Sequence, residues 1–317
     1  MMDVRRMLLL TEAADRGSIS AAADALAITP SAASQQLSRL EAESGQPLVE
    51  RLPRGVRLTG AGEAMAARGR RIRSELRGAQ ADLDSFARLT EGSLRMGSFP
   101  TASSSLLPLA LTRFSRKHPG VRVTVRSSLL AGLQEFLHAG EVELAILWDY
   151  EWNRVEDEAL RVTHLLDDPM VLVVPANSEL LERSGVDLAE LADQKWITRT
   201  ENPVAEVLHR SCRLAGFEPD ISYESHDYHE AQAMVAAGLG IAIAPRLALT
   251  NRRHDVRLIA FESRGRPAPA RRILLARPVN RTPTPATEVM IETLRAVAPK
   301  FAATNLHLAQ LGTVRAR

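Results

Sequence analysis

The stretch SISAAADALAITPSAASQQLSRL, residues 18–40, decides the fold of the N-terminal part of this chain. It predicts two short helices joined by a tight turn. Gly17 breaks the preceding segment, and Ser18 is expected to cap the first helix because its hydroxyl can accept a hydrogen bond from a free backbone N–H. The alanines that follow give a small-sided helix, which can pack closely against a neighbouring helix.

The start of the second helix is marked by its first two residues. Thr29 is expected to act as its N-cap, and Pro30 fits the first helical position, where the missing N–H costs nothing. Ile28 and Thr29 would then form the turn. The helix itself is expected to run to Glu41.

The second helix has an apolar face and a polar face. Ala33, Leu37 and Leu40 are spaced four and three apart, so they form one inward stripe. The opposite face carries hydroxyl and amide groups, which suit base edges because Gln pairs with adenine and Ser bonds several bases. An ordinary helical hairpin whose serines face water is the alternative. The DNA-binding residues expected on the two helices are Ser20, Thr29, Pro30, Ser31, Ser34, Gln35, Ser38 and Arg39.

The segment after the second helix favours DNA binding. Residues 46–51 predict a short strand, residues 52–55 a turn and residues 56–58 a return strand, which together make a wing. The arginines of this wing, which would meet phosphates or a minor groove, are Arg51, Arg54 and Arg57. Residues 51–77 hold eight arginines against two acids. The positive charge therefore lies in the wing and the start of the next helix, as phosphate contacts require.

Residues 8–62, with AAADALAITPSAASQQLSRLEAESGQPLVERLPRGVRLTGAG at their heart, closely resemble the winged helix-turn-helix of LysR-type transcriptional regulators. The resemblance implies a sequence-specific transcriptional regulator whose activity is modulated by a small-molecule effector. It also implies a homodimer or homotetramer. A symmetric dimer would read an interrupted inverted repeat in double-stranded DNA, and RNA polymerase is a further expected partner.

Composition agrees with a two-domain protein of the bacterial cytoplasm. The 317 residues are 45% hydrophobic and 25% charged, which is ordinary for a globular protein. No window approaches the ~18 apolar residues that a membrane span needs, so we expect no membrane partner. The charged residues near the N-terminus argue against a signal peptide. The lone cysteine, Cys212, excludes a disulfide within the chain.

Residues 60 to about 90 predict one continuous helix. Its apolar residues repeat every seven positions in two series, which is the pattern of a helix that pairs with a second copy. A single amphipathic helix lying on its own domain is the alternative. The expected seam consists of Met65, Ile72, Leu76, Ala79, Leu83 and Phe86.

From residue 94 the pattern changes to short apolar runs alternating with helices, which is typical of α/β structure. This part is similar to the effector-binding domain of the same family, two α/β subdomains like those of type II periplasmic binding proteins. The organisation implied is a winged helix-turn-helix at 1–59, a linker and dimerisation helix at 60–91, an effector-binding domain at 92–301 and a tail at 302–317. Subdomain I would comprise 92–164 and 266–301, and subdomain II 165–265.

In such a fold the ligand lies between the subdomains, at strand C-termini and helix N-termini. Hydroxyl and free N–H groups after the first strand suit a small organic acid. Arg199 could neutralise such an acid or form a surface salt bridge, and Trp148 could stack on a ring or fill a core. The effector-binding residues expected by position and family analogy are Thr101, Ser103, Ser128, Trp148, Thr198, Thr200 and Tyr228.

Three enzyme-like signals are weaker than their structural alternatives. Gly238 and Gly240 follow a predicted helix and precede a strand, the reverse of a phosphate-binding turn. His226 and His229 have no third ligand nearby, so we expect no metal site and no cofactor. Cys212 has no partner thiol and is expected to be a buried structural residue. The chain is therefore not expected to be an enzyme. An effector-independent architectural DNA-binding protein, and an enzyme or solute-binding protein with an incidental helix-turn-helix, remain the alternatives.

Overall fold

The structure, a computed structural model, describes residues 3–52, 55–86, 92–183, 185–200, 204–263 and 265–305. The chain divides into two compact units, one of residues 1–88 and 134–142 and the other of residues 89–133 and 143–317. Of the helices in the described ranges, none has the length and apolar character that a membrane crossing requires.

The N-terminal unit is built on three helices whose caps follow the sequence prediction. The Ser18 hydroxyl accepts from the N–H of Ala21 at 3.3 Å, and the Thr29 hydroxyl accepts from the N–H of Ala32 at 3.2 Å. Each bond satisfies a backbone donor that the helix itself leaves free. The three helices are α1 (Val4–Arg16), α2 (Ile19–Ala25) and α3 (Pro30–Ser44).

These three helices share one apolar core. The predicted inward stripe of α3, Ala33, Leu37 and Leu40, is at most 2% exposed and packs against apolar residues of α1 and α2. Ala22 and Ala23 of α2 are fully buried in the same core. Because alanine side chains are small, α2 approaches its neighbours closely there.

The turn between α2 and α3 lies earlier than predicted. α2 ends at Ala25, and Ala27 adopts a left-handed conformation with φ 54°. Thr29 is the extended N-cap of α3, as predicted. α3 continues past Glu41 to Ser44. The left-handed Ala27 reverses the chain between the two helices.

The predicted wing is a two-stranded antiparallel hairpin of β1 (Val49–Arg51) and β2 (Val56–Leu58). α3 holds its base through the carboxylate of Glu41, which accepts from the N–H groups of Leu48 and Val49 at 2.9 and 3.1 Å. Leu48 is 2% exposed and belongs to the helical core. The wing is therefore fixed to α3 by both polar and apolar contacts.

The long helix α4 (Gly60–Phe86) begins directly after the wing. The Thr59 hydroxyl accepts from the N–H of Gly62 at 3.0 Å and caps this helix. Residues 87–90, where the helix was predicted to end, lie outside the described residues.

The first half of the predicted pairing seam is used within the N-terminal unit. Met65 and Ile72 pack against the core of α1, α2 and α3, because α4 lies along α1. These two residues therefore serve the core of their own unit, and their pairing with a second copy of the helix stays a prediction. Leu76, which is 54% exposed, and Ala79 remain on the surface. The other predicted seam side chains, Leu83 and Phe86, lie outside the described part.

α4 approaches α1 most closely at Gly69. A Cβ added there would lie 2.0 Å from Thr11 Oγ1 and 3.1 Å from the carbonyl oxygen of Met7. Thr11 is fully buried, and its hydroxyl donates to that same carbonyl at 2.8 Å. Only glycine leaves room for this hydroxyl, so Gly69 sets the distance between the two helices.

Ion pairs also join α4 to α1. Arg73 lies 3.0 Å from Glu12 and 2.7 Å from Asp15, and Arg70 lies 2.8 Å from Asp15. Partial burial opposes ionisation, but the two guanidinium groups hold the pKa of Asp15 below its usual value. Arg70 and Arg73 therefore neutralise acids of α1, and the positive charge predicted for phosphate contacts is smaller than the sequence count suggests.

Beyond α4 the chain is α/β. Its strands are β3 (Gly92–Ser98), β4 (Val121–Ser127), β5 (Leu144–Asp149), β6 (Leu160–Pro175), β7 (Lys195–Arg199), β8 (Asp220–Ser225), β9 (Ile241–Pro245), β10 (Val256–Ile259), β11 (Glu262–Ser263), β12 (Arg266–Pro267) and β13 (Ala270–Pro278). Its helices are α5 (Pro100–Ser103), α6 (Leu106–Lys117), α7 (Leu130–His138), α8 (Val204–Ala215), α9 (Tyr228–Ala236) and α10 (Pro285–Asn305). Short 3-10 helices lie at Glu179–Glu182, Leu188–Leu191 and Arg246–Leu249.

The strands form one sheet in the order β4-β3-β5-β13-β6-β9-β7-β8, with β10 also paired to β6. β6 is continuous and pairs with β13 over its first part and with β9 and β10 over its last. We call β3, β4, β5, β13 and the start of β6 the first half, and β7–β10 with the end of β6 the second half. α10 runs to Asn305, past the predicted start of the tail, and residues 306–317 lie outside the described part.

Candidate DNA interface and effector site

α3 presents its polar residues away from the core. Ser31, Gln35, Ser38 and Arg39 are exposed, and Ser34 is half-buried. The other DNA-binding residues predicted on these helices, Ser20, Thr29 and Pro30, are exposed as well. The side chains at these positions are small or carry amide or guanidinium donors. The surface can therefore approach base edges closely while the Ala33 side holds the helix in place.

The wing carries less unpaired positive charge than predicted. Arg57 donates through Nε and Nη2 to one carboxylate oxygen of Glu50, at 2.9 and 2.6 Å, across the hairpin. Both side chains are well exposed, and an exposed pair of this kind is weak. A phosphate can therefore displace Glu50. Arg54 and the side chain of Arg51 lie outside the described residues.

A buried ion pair lies where β6 passes from the first half to the second. Arg271 of β13 and Asp168 of β6 are cross-strand neighbours, each at most 2% exposed. Arg271 Nη2 lies 2.8 Å from Asp168 Oδ2 and donates to Thr101 Oγ1 at 3.0 Å. Asp168 Oδ1 accepts from the N–H of Leu247, in the second half, at 2.8 Å. Through Asp168 this network joins Thr101 and Arg271 to Leu247 of the second half.

Burial and mutual attraction act against each other at both members of the pair. Burial by itself lowers the pKa of Arg271, but the carboxylate of Asp168 outweighs it and the net shift is upward. Burial raises the pKa of Asp168, and the guanidinium of Arg271 and the N–H of Leu247 oppose that rise. Two buried charges of this kind are stable only as a pair.

Aromatic residues of the first half lie beside this network. The Phe99 ring lies 4.8 Å from that of Trp148 and 4.9 Å from the Arg271 guanidinium. Tyr150 is fully buried, and neither its hydroxyl nor the Nε1 of Trp148 has a hydrogen-bond partner among the described residues. Burial raises the pKa of Tyr150, and Arg271 and Tyr228 lie close enough to act on it. Tyr150 is therefore neutral, and its hydroxyl is a hydrogen-bond donor close to residues of both halves.

The second half contributes its own polar group beside the sheet. Thr198 is 8% exposed and its hydroxyl has no partner among the described residues. The Arg199 guanidinium lies 4.8 Å from the ring centre of Tyr228. Thr198, Arg199 and Tyr228 line a cavity of about 20 Å³, which is room for one water molecule. Thr200 is exposed just after β7, and its N–H donates to the carbonyl of Ser225.

The remaining predicted effector residues lie in the first half. Ser103 is half-buried with an unpartnered hydroxyl oxygen. Ser128 lies over α7, where a Cβ on Gly132 would be 2.2 Å from its Oγ. The helix predicted at 104–117 is split, because Ser105 bonds back to the carbonyl of Thr101 and interrupts it. The turn that holds Thr101 is therefore a short helix of its own, α5.

Sequence reasoning missed Asp168 and Arg271. A signal for both does exist. Asp168 follows the segment LRVTHLLD and Arg271 precedes ILLA. Opposite charges at the end of one strand and the start of another become neighbours when those strands pair antiparallel.

The described residues show neither a metal-ligand cluster nor an activated thiol. No three His, Cys, Asp or Glu side chains within the described ranges are grouped as metal ligands. Cys212 is fully buried, and burial raises the pKa of its thiol to about 12. Because the thiolate is the reactive form, this cysteine is chemically inert at neutral pH.

Two family models match nearly the whole chain. Residues 4–63 match the bacterial regulatory helix-turn-helix protein of the lysR family, and residues 87–299 match the LysR substrate binding domain. The chain belongs to the LysR family. As a LysR regulator it is a sequence-specific DNA-binding protein whose activity is modulated by a small-molecule effector bound in its α/β domain.

Individual relatives agree with the family match. The transcriptional dual regulator GltC of Bacillus subtilis is 28% identical over 296 residues, which cover 92% of this chain and 96% of GltC. Full-length OxyR from Pseudomonas aeruginosa has the same fold, with a TM-score of 0.76 at 20% identity over 94% of this chain and 97% of OxyR. CbnR in complex with its target DNA gives 0.67 at 22% identity over 94% of this chain and all of CbnR. The named relatives are transcriptional regulators, not enzymes.

Proposed function

We propose that this LysR regulator acts as a dimer or tetramer that reads an interrupted inverted repeat with α3 and responds to a small organic acid. Residues 1–59 would bind DNA, residues 60–91 would pair two subunits, and residues 92–301 would bind the effector between their two halves, leaving 302–317 as a tail. RNA polymerase would be contacted at the promoter. The exposed residues Leu76 and Ala79 of α4 support pairing through the second part of that helix.

The polar groups around Tyr150 carry the effector proposal. The Tyr150 hydroxyl, the Trp148 Nε1 and the Thr198 hydroxyl are buried donors without partners among the described residues. Leaving such a group unpaired costs about 1–3 kcal/mol. A ligand with several acceptor oxygens would satisfy them, and a carboxylate supplies such oxygens. The network from Thr101 to Asp168 would let the ligand act on both halves.

Replacing Thr101 with valine tests the effector site. Valine keeps the shape of threonine but removes the hydroxyl that accepts from Arg271. An organic acid that changes the DNA affinity of the native protein, found by screening, should have no effect on Thr101→Val, while affinity without the acid stays unchanged. Ser104→Ala removes an exposed hydroxyl of the next turn and serves as the control. A normal response in Thr101→Val would refute this placement.

Selection from a random duplex library tests the DNA proposal. The selected sites should contain two inverted half-sites one helical turn or a multiple of it apart. Gln35→Ala should then weaken binding to the selected site by about 1–3 kcal/mol with little effect on random DNA. Loss of equal size on random DNA would show that Gln35 does not read bases.

A further inference from the structure

A groove lies in the first half of the sheet, at the end away from Thr101. It has a volume of about 420 Å³ and is lined by the start of β6, the end of β13 and the first turns of α10. Volumes of this size are typical of small-molecule sites. Arg161, which lines the groove, is seven residues from Asp168 along β6. At ~3.3 Å per residue, Arg161 is therefore about 23 Å from Asp168 along the strand.

Like charges face each other in this groove. Arg161 of β6 and Arg277 of β13 are cross-strand partners, so their side chains leave the same face of the sheet. Directly opposed like charges destabilise a pair of strands. Burial lowers the pKa of Arg277, and the neighbouring Arg161 lowers it further. Arg295 of α10 brings a third guanidinium group to the groove.

These guanidinium groups lack carboxylate partners. Arg277 donates only to the carbonyl oxygens of Pro278 and Arg281, and neither Arg161 nor Arg295 forms an ion pair with a residue in the described ranges. Glu288 and Glu292 also line the groove, and Glu288 lies near enough to Arg277 to raise its pKa, but no ion pair in the described ranges joins either acid to the arginines. The site therefore keeps a net positive charge of one within its lining.

The inner wall of the groove is apolar. Ile291 of α10 lines the groove and is half-buried, and the buried side chains of Leu144 and Leu275 lie beneath the lining. An apolar wall beside a cationic rim suits a molecule with one acid group and a hydrocarbon body, because each part then meets its own surface.

We propose that this groove is a second binding site, for a small organic monoanion whose acid group lies between Arg161 and Arg277 and whose hydrocarbon body lies against Ile291. The anion removes the repulsion between the two arginines and receives charge-assisted hydrogen bonds from them. The site is independent of the effector site proposed around Tyr150, and its occupation requires nothing from that site.

Calorimetric titration of the full chain with hexanoate tests the proposal, with hexanamide as the neutral analogue. Hexanoate should bind and hexanamide should bind at least tenfold more weakly. Arg161→Gln should weaken hexanoate by roughly tenfold to a hundredfold, which corresponds to the loss of one charge-assisted bond. Arg161 is exposed, so the variant keeps its core. Glu292→Gln should tighten binding, because it removes a negative charge from the lining.

Two controls separate this groove from other sites. Arg113→Gln makes the same charge change on an exposed residue of α6 outside the groove and should leave hexanoate binding intact. Thr101→Val alters the effector site proposed around Tyr150 and should also leave hexanoate binding unchanged. Equal binding of hexanoate and hexanamide, or undiminished binding to Arg161→Gln, would overturn the proposal. So would the absence of hexanoate binding to the native chain.

Discussion

Replacing Gly69 with alanine should loosen the contact between α1 and α4. The new Cβ would meet Thr11 Oγ1 at 2.0 Å, more than 1 Å inside ordinary contact, and the Met7 carbonyl at 3.1 Å. Thr11 is buried and already bonded to that carbonyl, so it cannot rotate away without losing its acceptor. Overpacking of this kind costs about 1–3 kcal/mol. Alanine gains about 1 kcal/mol of helix propensity, which leaves a net loss of up to about 2 kcal/mol.

Gly78 of the same helix provides a matched control. A Cβ there meets nothing within 4 Å, so Gly78→Ala should stabilise α4 by the ~1 kcal/mol of helix propensity alone. The two alanine variants should therefore differ by up to about 3 kcal/mol. Adding Thr11→Ala to Gly69→Ala removes the clashing hydroxyl and should recover much of the loss, although Thr11→Ala alone removes a buried hydrogen bond.

Hydrogen exchange of the α1 amides is the appropriate assay, because a chain of two units does not unfold in one step. The α1 amides should exchange faster in Gly69→Ala than in the native chain, and no faster in Gly78→Ala. Equal protection of α1 in the two variants would refute the argument that the helix spacing depends on Gly69.

Three further predictions concern charged residues. Arg57→Gln should flatten the dependence of log K for DNA on log salt by about 0.9, and an unchanged slope would show that Arg57 stays with Glu50 on DNA. Because folding lowers the pKa of Asp15, its carboxylate stabilises the fold at pH values above its unfolded pKa of about 3.9. That stabilisation is lost as the pH falls through the pKa of the folded state. The protection of α1 should therefore fall with acid, less so in Asp15→Asn, and identical pH profiles would exclude this role. Asp168→Asn leaves the buried charge of Arg271 uncompensated and should cost about 3–5 kcal/mol in urea unfolding followed by tryptophan fluorescence. A loss below about 1 kcal/mol would show that water reaches the pair.

The helical part of the fold was readable because it depends on local signals. Ser18, Thr29 and Thr59 each act within three residues of the N–H they cap. The spacing of Ala33, Leu37 and Leu40 likewise depends on helix geometry alone. The left-handed conformation of Ala27 was missed because alanine gives no sequence signal for it, and only the packing of α2 against α3 imposes it.

The effector region was harder because its contacts join distant residues. Arg271 and Thr101 are 170 positions apart, and no local pattern relates them. The heptad of α4 is ambiguous for a related reason, since a seven-residue apolar repeat looks the same whether it packs on a second copy or on α1. Met65 and Ile72 pack on α1, and that is a property of tertiary structure.

The continuity of β6 has a mechanical consequence. Its 16 residues extend for about 50 Å through both halves, so one half can move relative to the other only by twisting a hydrogen-bonded ribbon, and not by opening at a loose joint. Pro169 lies near the middle of this strand and has no N–H to give to the ladder. The strand therefore resists twisting along its length, and it resists least near Pro169. Its stiffness limits how far any closure around Tyr150 can turn the two halves.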